Sequence, residues 1–321
     1  MGDRERLWLH SVGYDTIQGS PTPMPRSALT ARLRILGAAL LFSGGGAAIK
    51  ATTISVWQVA GLRAAIAAGF LFVALPAARR LWNVRVLAVG SLYAVMTTCY
   101  VAANKYTTAG NVMFLIAASP LVVLVFGRIF LGERASRRDL MFLLPMVLGL
   151  GLCLGPAQQV QATAPAPGLG NLFAVVNLLI WGLLLVVMRA LGRDREAKDD
   201  LAPAAIAAGN LIAALICLPL AGSLSSVSAQ DWAIVGFLGV FQIGLAYVWL
   251  TAALRRVPAF ESSLLLLAEP VFNPLWTWAV HDELPSRWAA LGGAVILGAL
   301  AAKLWWVDRR AELGAEAGRP S

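Results

Sequence analysis

The sequence predicts an all-α polytopic membrane protein of ten transmembrane helices, arranged as two inverted five-helix repeats. Three observations predict it: an apolar excess spread along the chain, basic residues confined to alternate loops, and a motif that recurs with its flanking charge reversed. Of the 321 residues, 59% are hydrophobic and 13% charged, and the mean hydropathy is +0.72. A soluble domain carries about 25% charged residues, so this chain has too few to cover a water-facing surface. Its apolar stretches recur from about Arg32 to Val307 instead of gathering at one end.

A helix crosses the hydrocarbon with about 20 apolar residues. On that rule the first five spans fall near 32–51, 55–76, 85–104, 108–131 and 139–155. The second five fall near 170–190, 201–221, 231–254, 258–280 and 287–307. The fifth, ending at Gly155-Pro156, is the shortest. Residues 1–31 read as a polar tail, in which "RERLWLHSV" is either solvated or a short amphipathic helix on the membrane surface. The tail has no apolar core with a cleavage site, so no removed signal peptide is expected. Residues 156–169 form the connecting extracytoplasmic loop, and 308–321 a second tail.

The basic residues orient these spans. With the N-terminus inside, 22 of the 26 lysines and arginines fall on the inner side, Lys50, Lys105 and Arg287 fall outside, and Arg63 lies within a span. That asymmetry follows the positive-inside rule and predicts both termini to be cytoplasmic; the expected location is a bacterial-type inner membrane. The net charge of +9 is then a topology signal, and no nucleic-acid partner is expected.

A repeat supplies the third observation. "AASPLVVLVFGRIFLGERASR" (Ala117–Arg137) aligns with "LAEPVFNPLWTWAVHDELPSR" (Leu267–Arg287), so that Pro120 and Glu133 match Pro270 and Glu283. "LFSGGGAAIKA" (Leu41–Ala51) aligns with "IWGLLLVVMRA" (Ile180–Ala190), placing Lys50 opposite Arg189. Each unit, 32–155 and 170–307, holds five spans. An odd number inverts the second copy relative to the first, an architecture that recurs in secondary transporters with the substrate near the midplane. Arg134, Arg137 and Arg138 follow Glu133, whereas only Arg287 follows Glu283, as opposite sides require.

Ten spans, two five-helix units and a Pro-x12-Glu motif closing the fourth span of each resemble the drug/metabolite transporter superfamily in its EamA-type branch. The "LAEPVF" opening and Leu131-Gly132-Glu133 are typical of it, while His281-Asp282-Glu283 keeps only the Glu. The resemblance covers residues 32–307. Within that branch, length and aromatic content look most like the bacterial aromatic amino acid exporters. It implies a transporter whose short motif residues are structural rather than substrate-binding.

Glu269 stands out within the ninth span, because an ionised side chain at mid-membrane costs about 2.5–3.5 kcal/mol on insertion scales. Two readings fit it: a hydrogen-bonded acid satisfying backbone freed by Pro270 or Pro274, or a cavity carboxylate for a substrate amine or coupling proton. Pro120 and Pro270 each remove one helical hydrogen bond at equivalent places, as hinges for a rocking motion or as static kinks.

Helical spacing sorts the remaining candidates by face. Tyr93, Thr97, Tyr100 and Asn104 share a stripe on the third span; Gln242, Ala246 and Trp249 share one on the eighth, with Tyr247 beside it. Glu269, Asn273 and Trp276 align on the ninth, and Asn177 and Trp181 on the sixth. Ser43, Ala47 and Lys50 share a face of the first, with Phe42 adjacent. Core packing or an interfacial belt is the alternative for each aromatic. Lys50 is either a headgroup anchor or a group at the cavity mouth. "SGGG" (Ser43–Gly46) permits close approach by a neighbouring helix or by a ligand.

The chemistry excludes several classes. Only His10 and His281 exist, and no zinc motif, nucleophile elbow or phosphate loop appears, so neither catalytic residues, metal site nor cofactor is expected. Cys99, Cys153 and Cys217 lie in apolar runs as small hydrophobes. The expected partners are the bilayer and a small-molecule substrate. The expected function is export of small metabolites, amino acids including aromatic ones, by alternating access, with multidrug export as the alternative. A channel or an intramembrane enzyme is the remote rival.

Overall fold

A computed structural model describes residues 26–80, 82–132, 137–154, 162–192, 201–254, 265–266 and 268–317. The described residues are helical throughout, apart from short connections. In the first half α1 (Arg26–Ser43) and α2 (Gly45–Ala51) form the first span, α3 (Val56–Ala74) the second, and α4 (Pro76–Arg80) a short connector. The third is α5 (Val84–Tyr106), the fourth α6 (Ala109–Ala117) plus α7 (Ser119–Leu131), and the fifth α8 (Arg137–Leu154). In the second half α9 (Pro167–Gly192) and α10 (Ala202–Leu220) precede a helix built from α11 (Ala229–Phe237), a π-helical segment (Leu238–Leu245) and α12 (Ala246–Leu254). Last come α13 (Ala268–His281) and α14 (Arg287–Ala317).

Among the described residues, seven helices are long and apolar enough to cross a membrane. Three of the ten expected spans fall short of that measure. The fifth and tenth keep shorter apolar stretches, Leu144–Leu154 and Arg287–Ala302, and α13 has 14 residues. The start of the expected ninth span, 258–264, lies outside the described residues, as do Glu133, the N-terminal tail through Pro25 and residues 156–161 of the connecting loop. Large apolar side chains such as Ile129, Met141, Val280 and Trp305 are well exposed, as lipid-facing positions are in a bilayer where backbone polar groups are satisfied within helices.

Helices of the two halves interleave. α3 packs on α10, α8 on α14, α5 on both α9 and α10, and α1 on α12 and α13. One core gathers Phe114, Leu115, Met146 and Ile296; another gathers Ile49, Val59, Val101, Cys217 and Leu238. Lipid gives apolar helices no hydrophobic reason to associate, so close packing must supply it. Glycines allow that approach: a Cβ on Gly149 would stand 2.7 Å from the Gly292 carbonyl oxygen, and one on Gly209 2.7 Å from that of Gly90.

Three spans are interrupted. Gly44 breaks the first between α1 and α2, and Ala118 (φ −78°, ψ 3°) breaks the fourth two residues before Pro120. The π-helical segment interrupts the eighth; such insertions favour functional sites. Gly132 (φ 64°) and Asp282 (φ 52°), matching positions of the two copies, both adopt the left-handed conformation that ends a helix. Aspartate tolerates that region better than most residues, so His281-Asp282-Glu283 keeps the turn of Leu131-Gly132-Glu133 without its glycine.

Gly149→Val and Gly292→Val should each destabilise the protein by about 1–3 kcal/mol, read as a lowered melting temperature in detergent. Gly151→Val, with open space around it, should leave the melting temperature unchanged.

Candidate functional site

A cavity of about 190 Å3 lies between the halves, walled by Phe42 of α1, Arg63 of α3, the α5 residues Tyr93, Thr97 and Tyr100, and side chains of four further spans. Asn177 and Trp181 of α9 face it, as do Gln242, Ile243, Tyr247 and Leu250 of the eighth span and Glu269 of α13. Met96, Met113, Ile116 and Leu266 complete the wall. The volume is below the roughly 300–1,000 Å3 typical of drug-sized pockets.

The aromatic rings are fixed by one another. Tyr247 meets Phe42 edge-on at 5.1 Å between centroids and Tyr93 at 6.1 Å, within the range of favourable ring pairs. Asn177 is held in place by its Nδ2, which donates to the Met96 carbonyl at 2.7 Å. Among the described residues no hydrogen bond or ion pair joins Glu269, which lines the same cavity as Tyr100.

Eight of the residues singled out from sequence therefore converge: Phe42, Tyr93, Tyr100, Asn177, Trp181, Gln242, Tyr247 and Glu269. Six lie elsewhere. The π-helical segment inserts one residue, which moves the eighth-span stripe by one position, from Gln242, Ala246 and Trp249 to Gln242, Tyr247 and Leu250. Trp249 packs against Gly37 instead, where a Cβ would stand 2.6 Å from its ring. Trp276 lies on the bundle surface at 41% exposure, with its Nε1 donating to Ser43 Oγ at 2.9 Å. Ser43 is buried and donates to the Leu40 carbonyl at 2.8 Å.

Asn104 and Asn273 sit one layer beyond the cavity, fully buried. Asn273 Nδ2 donates to the Ser43 carbonyl at 2.9 Å, beside the Gly44 break, and Asn104 Nδ2 to the Tyr100 carbonyl at 2.9 Å. The glycines of "SGGG" make room for this layer. A Cβ on Gly45 would stand 2.8 Å from Gln242 Nε2 and 3.1 Å from Tyr100 Oη; one on Gly46 would stand 3.0 Å from both Asn104 Oδ1 and Asn273 Nδ2. The close approach is thus by side chains, these polar ones and the Ala109 methyl at 2.8 Å from a Cβ on Gly46, not by a neighbouring helix backbone.

Lys50 is remote from the cavity wall. Its Nζ pairs with Glu283 Oε2 at 2.9 Å, with both side chains buried (3% and 1% exposed). It also donates to the Thr107 carbonyl at 2.8 Å and to that of Thr163. Glu283 Oε1 accepts from the Ala109 amide at 2.7 Å, at the helix N-terminus where a carboxylate is favoured. The left-handed turn at Asp282 folds the chain back so that the Glu283 amide donates to the Thr277 carbonyl at 3.3 Å. Nearby, His281 Nε2 donates to the Ala47 carbonyl at 2.8 Å, Lys105 Nζ to that of Thr52 at 2.6 Å, and Thr53 to both Asp231 oxygens at 2.8 and 2.9 Å. Polar ties between the halves therefore close this end of the bundle.

Arg63 was not among the sequence candidates, although a cation inside an otherwise apolar span is a signal. At 2% exposure, its Nη2 donates to the Thr97 carbonyl at 3.2 Å and to the Thr97 hydroxyl, and its guanidinium lies 5.8 Å from the Tyr100 ring centroid. Among the described residues no group of three metal-binding side chains occurs.

Comparison with known proteins follows the same division of the chain. The EamA-like transporter family matches residues 29–155 and again residues 168–303. The pseudopaline exporter CntI of Pseudomonas aeruginosa (strain UCBPP-PA14) is 27% identical over 214 residues, 65% of this chain and 69% of that protein. The aromatic amino acid exporter YddG of Ancylobacter novellus is 25% identical over 257 residues, 79% of this chain and 85% of that protein. A protein of known crystal structure superposes with a TM-score of 0.58 at 22% identity, over 88% of this chain and 98% of that one, which establishes a shared fold.

Removing one partner of a buried ion pair costs about 3–5 kcal/mol, whereas replacing both is far less costly. Lys50→Met should therefore lower thermal stability sharply. Lys50→Met combined with Glu283→Gln, which keeps an acceptor for the Ala109 amide, should recover most of that loss.

Proposed function

The chain belongs to the EamA-like transporter family, and from that premise we propose that it exports amino acids, aromatic ones included, across a bacterial inner membrane. It is a transporter of small metabolites and not an enzyme. The observation that carries the finer reading is the cavity itself: aromatic faces, amide groups and one half-buried carboxylate, in a volume suited to a small metabolite. Rings accept side chains of different shape by stacking, so broad specificity and modest affinity follow. A site for nucleotide sugars needs more cations than Arg63 alone, and a cationic drug a larger space. The aromatic amino acid exporter among the relatives supports the same class.

Alternating access is the mechanism that fits an inverted repeat. Support for a two-fold relation between the halves comes from the helix pairs: exchanging the first five spans with the second five turns α5 on α9 into α12 on α1, and leaves α3 on α10 and α8 on α14 as they are. In this reading the end closed by Lys50 and Glu283 faces the extracytoplasmic side, in keeping with the charge asymmetry of the loops. The closed structure is then one of two states, and export requires that end to open. Pro120, beside the break at Ala118, and Pro270, in the first turn of α13, lie where such a motion would bend the helices.

Labelled phenylalanine should exchange into proteoliposomes loaded with unlabelled amino acids, without an ion gradient. A nucleotide sugar should not stimulate it; stimulation by a cationic drug alone would reassign the substrate. A hydrogen bond to a charged group contributes about 1.5–3 kcal/mol, so Glu269→Gln should lower exchange about tenfold or more while the protein remains folded. Trp276→Ala, outside the cavity, should leave substrate competition unchanged.

A further inference from the structure

Arg63 carries its charge at a place where, among the described residues, no counter-charge pairs with it. It is 2% exposed, lines the cavity, and among the described residues no carboxylate lies within ion-pair distance. Its Nη2 is committed to Thr97, which fixes the guanidinium plane. Its Nε is buried and finds no hydrogen-bond partner among the described residues, and the same is true of Tyr100 Oη and Gln242 Oε1. A buried cation without a counter-charge is strongly destabilising, and a buried donor left unpaired is costly. Two donors without a partner among the described residues, Arg63 Nε and Tyr100 Oη, thus belong to side chains that line one cavity, with the guanidinium over the Tyr100 ring.

We propose that Arg63 and Tyr100 form the site for a carboxylate of the transported substrate. An anionic oxygen pair placed there accepts from Arg63 Nε and from the Tyr100 hydroxyl, and supplies the missing counter-charge. Arginine suits the task because its planar fork matches a carboxylate and stays charged when buried. Packing against Tyr100 and bonding to Thr97 hold it ready, so little side-chain freedom is lost on binding. Glu269, on another wall of the same cavity, faces the remainder of the substrate, which makes the two ends of a zwitterion distinguishable. The unpaired Gln242 oxygen adds an acceptor for an amino group. This inference rests on the proposed amino acid reading but is narrower: it requires the carboxylate, whatever the rest of the molecule.

The test compares three ring-matched probes by thermal-shift binding and by competition against labelled phenylalanine exchange: phenylalanine, 3-phenylpropionate and phenethylamine. The wild-type protein should bind phenylalanine and 3-phenylpropionate and bind phenethylamine at least tenfold more weakly. Arg63→Gln should lose at least tenfold for the two carboxylates and leave phenethylamine unchanged, and Arg63→Lys, which lacks the fork, should recover only part of the loss. Should Arg63→Gln fail to fold, the wild-type ranking and Thr97→Val, which releases the guanidinium from one anchor and should weaken the carboxylates alone, still decide. Phenethylamine equal to phenylalanine in the wild-type protein, or full carboxylate binding by a folded Arg63→Gln, overturns the inference. So does binding of none of the three. Binding of 3-phenylpropionate without phenylalanine exchange would instead sustain Arg63 as the carboxylate site and overturn the amino acid reading.

Discussion

One carboxylate ties the two halves together at one end of the bundle. Glu283 holds Lys50 of the first span with one oxygen and caps the fourth span at Ala109 with the other. Both charges are almost wholly withdrawn from solvent, where an ion pair persists only if its remaining hydrogen-bonding capacity is satisfied. Lys50 meets that condition through the carbonyls of Thr107 and Thr163. The interaction joins residues far apart in the chain, so it fixes how the halves sit against each other and with them the depth and shape of the cavity below.

Between that clamp and the cavity lies a buried polar layer of Asn104, Asn273 and Ser43, for which the glycines at 45 and 46 leave space. The layer has a physical cost, since the side-chain oxygens of Asn104 and Asn273 find no hydrogen-bond partner among the described residues. A purely structural bundle would favour apolar side chains there. Polar groups held at that cost next to a cavity suit a passage through which a polar solute moves, and three of the spans are interrupted, at Gly44, Ala118 and Leu238–Leu245.

The spans were legible because lipid demands long apolar runs, and the third- and sixth-span candidates because an uninterrupted helix keeps its 3.6-residue period. Tyr93, Tyr100, Asn177 and Trp181 accordingly face the cavity. The eighth-span stripe failed at Trp249 because periodicity carries no signal for an inserted π turn. Trp276 and Asn273 belong to a helix with prolines at 270 and 274, and their partner is Ser43, which spacing along one helix cannot supply. Lys50 resembled a headgroup anchor because its partner is distant in sequence. Arg63 was visible as a charge within a span, but its burial against Thr97 and Tyr100 depends on which helices neighbour α3.

The most direct test of alternation is a distance across the closed end. Spin labels at positions 57 and 284, both exposed, in a protein lacking Cys99, Cys153 and Cys217, would report the separation of the halves by double electron–electron resonance in lipid. The account predicts two populations whose ratio shifts when transported substrate is added, the longer-distance one growing when Lys50→Met and Glu283→Gln are combined. A single distance, unchanged by substrate and by loss of the ion pair, would contradict it.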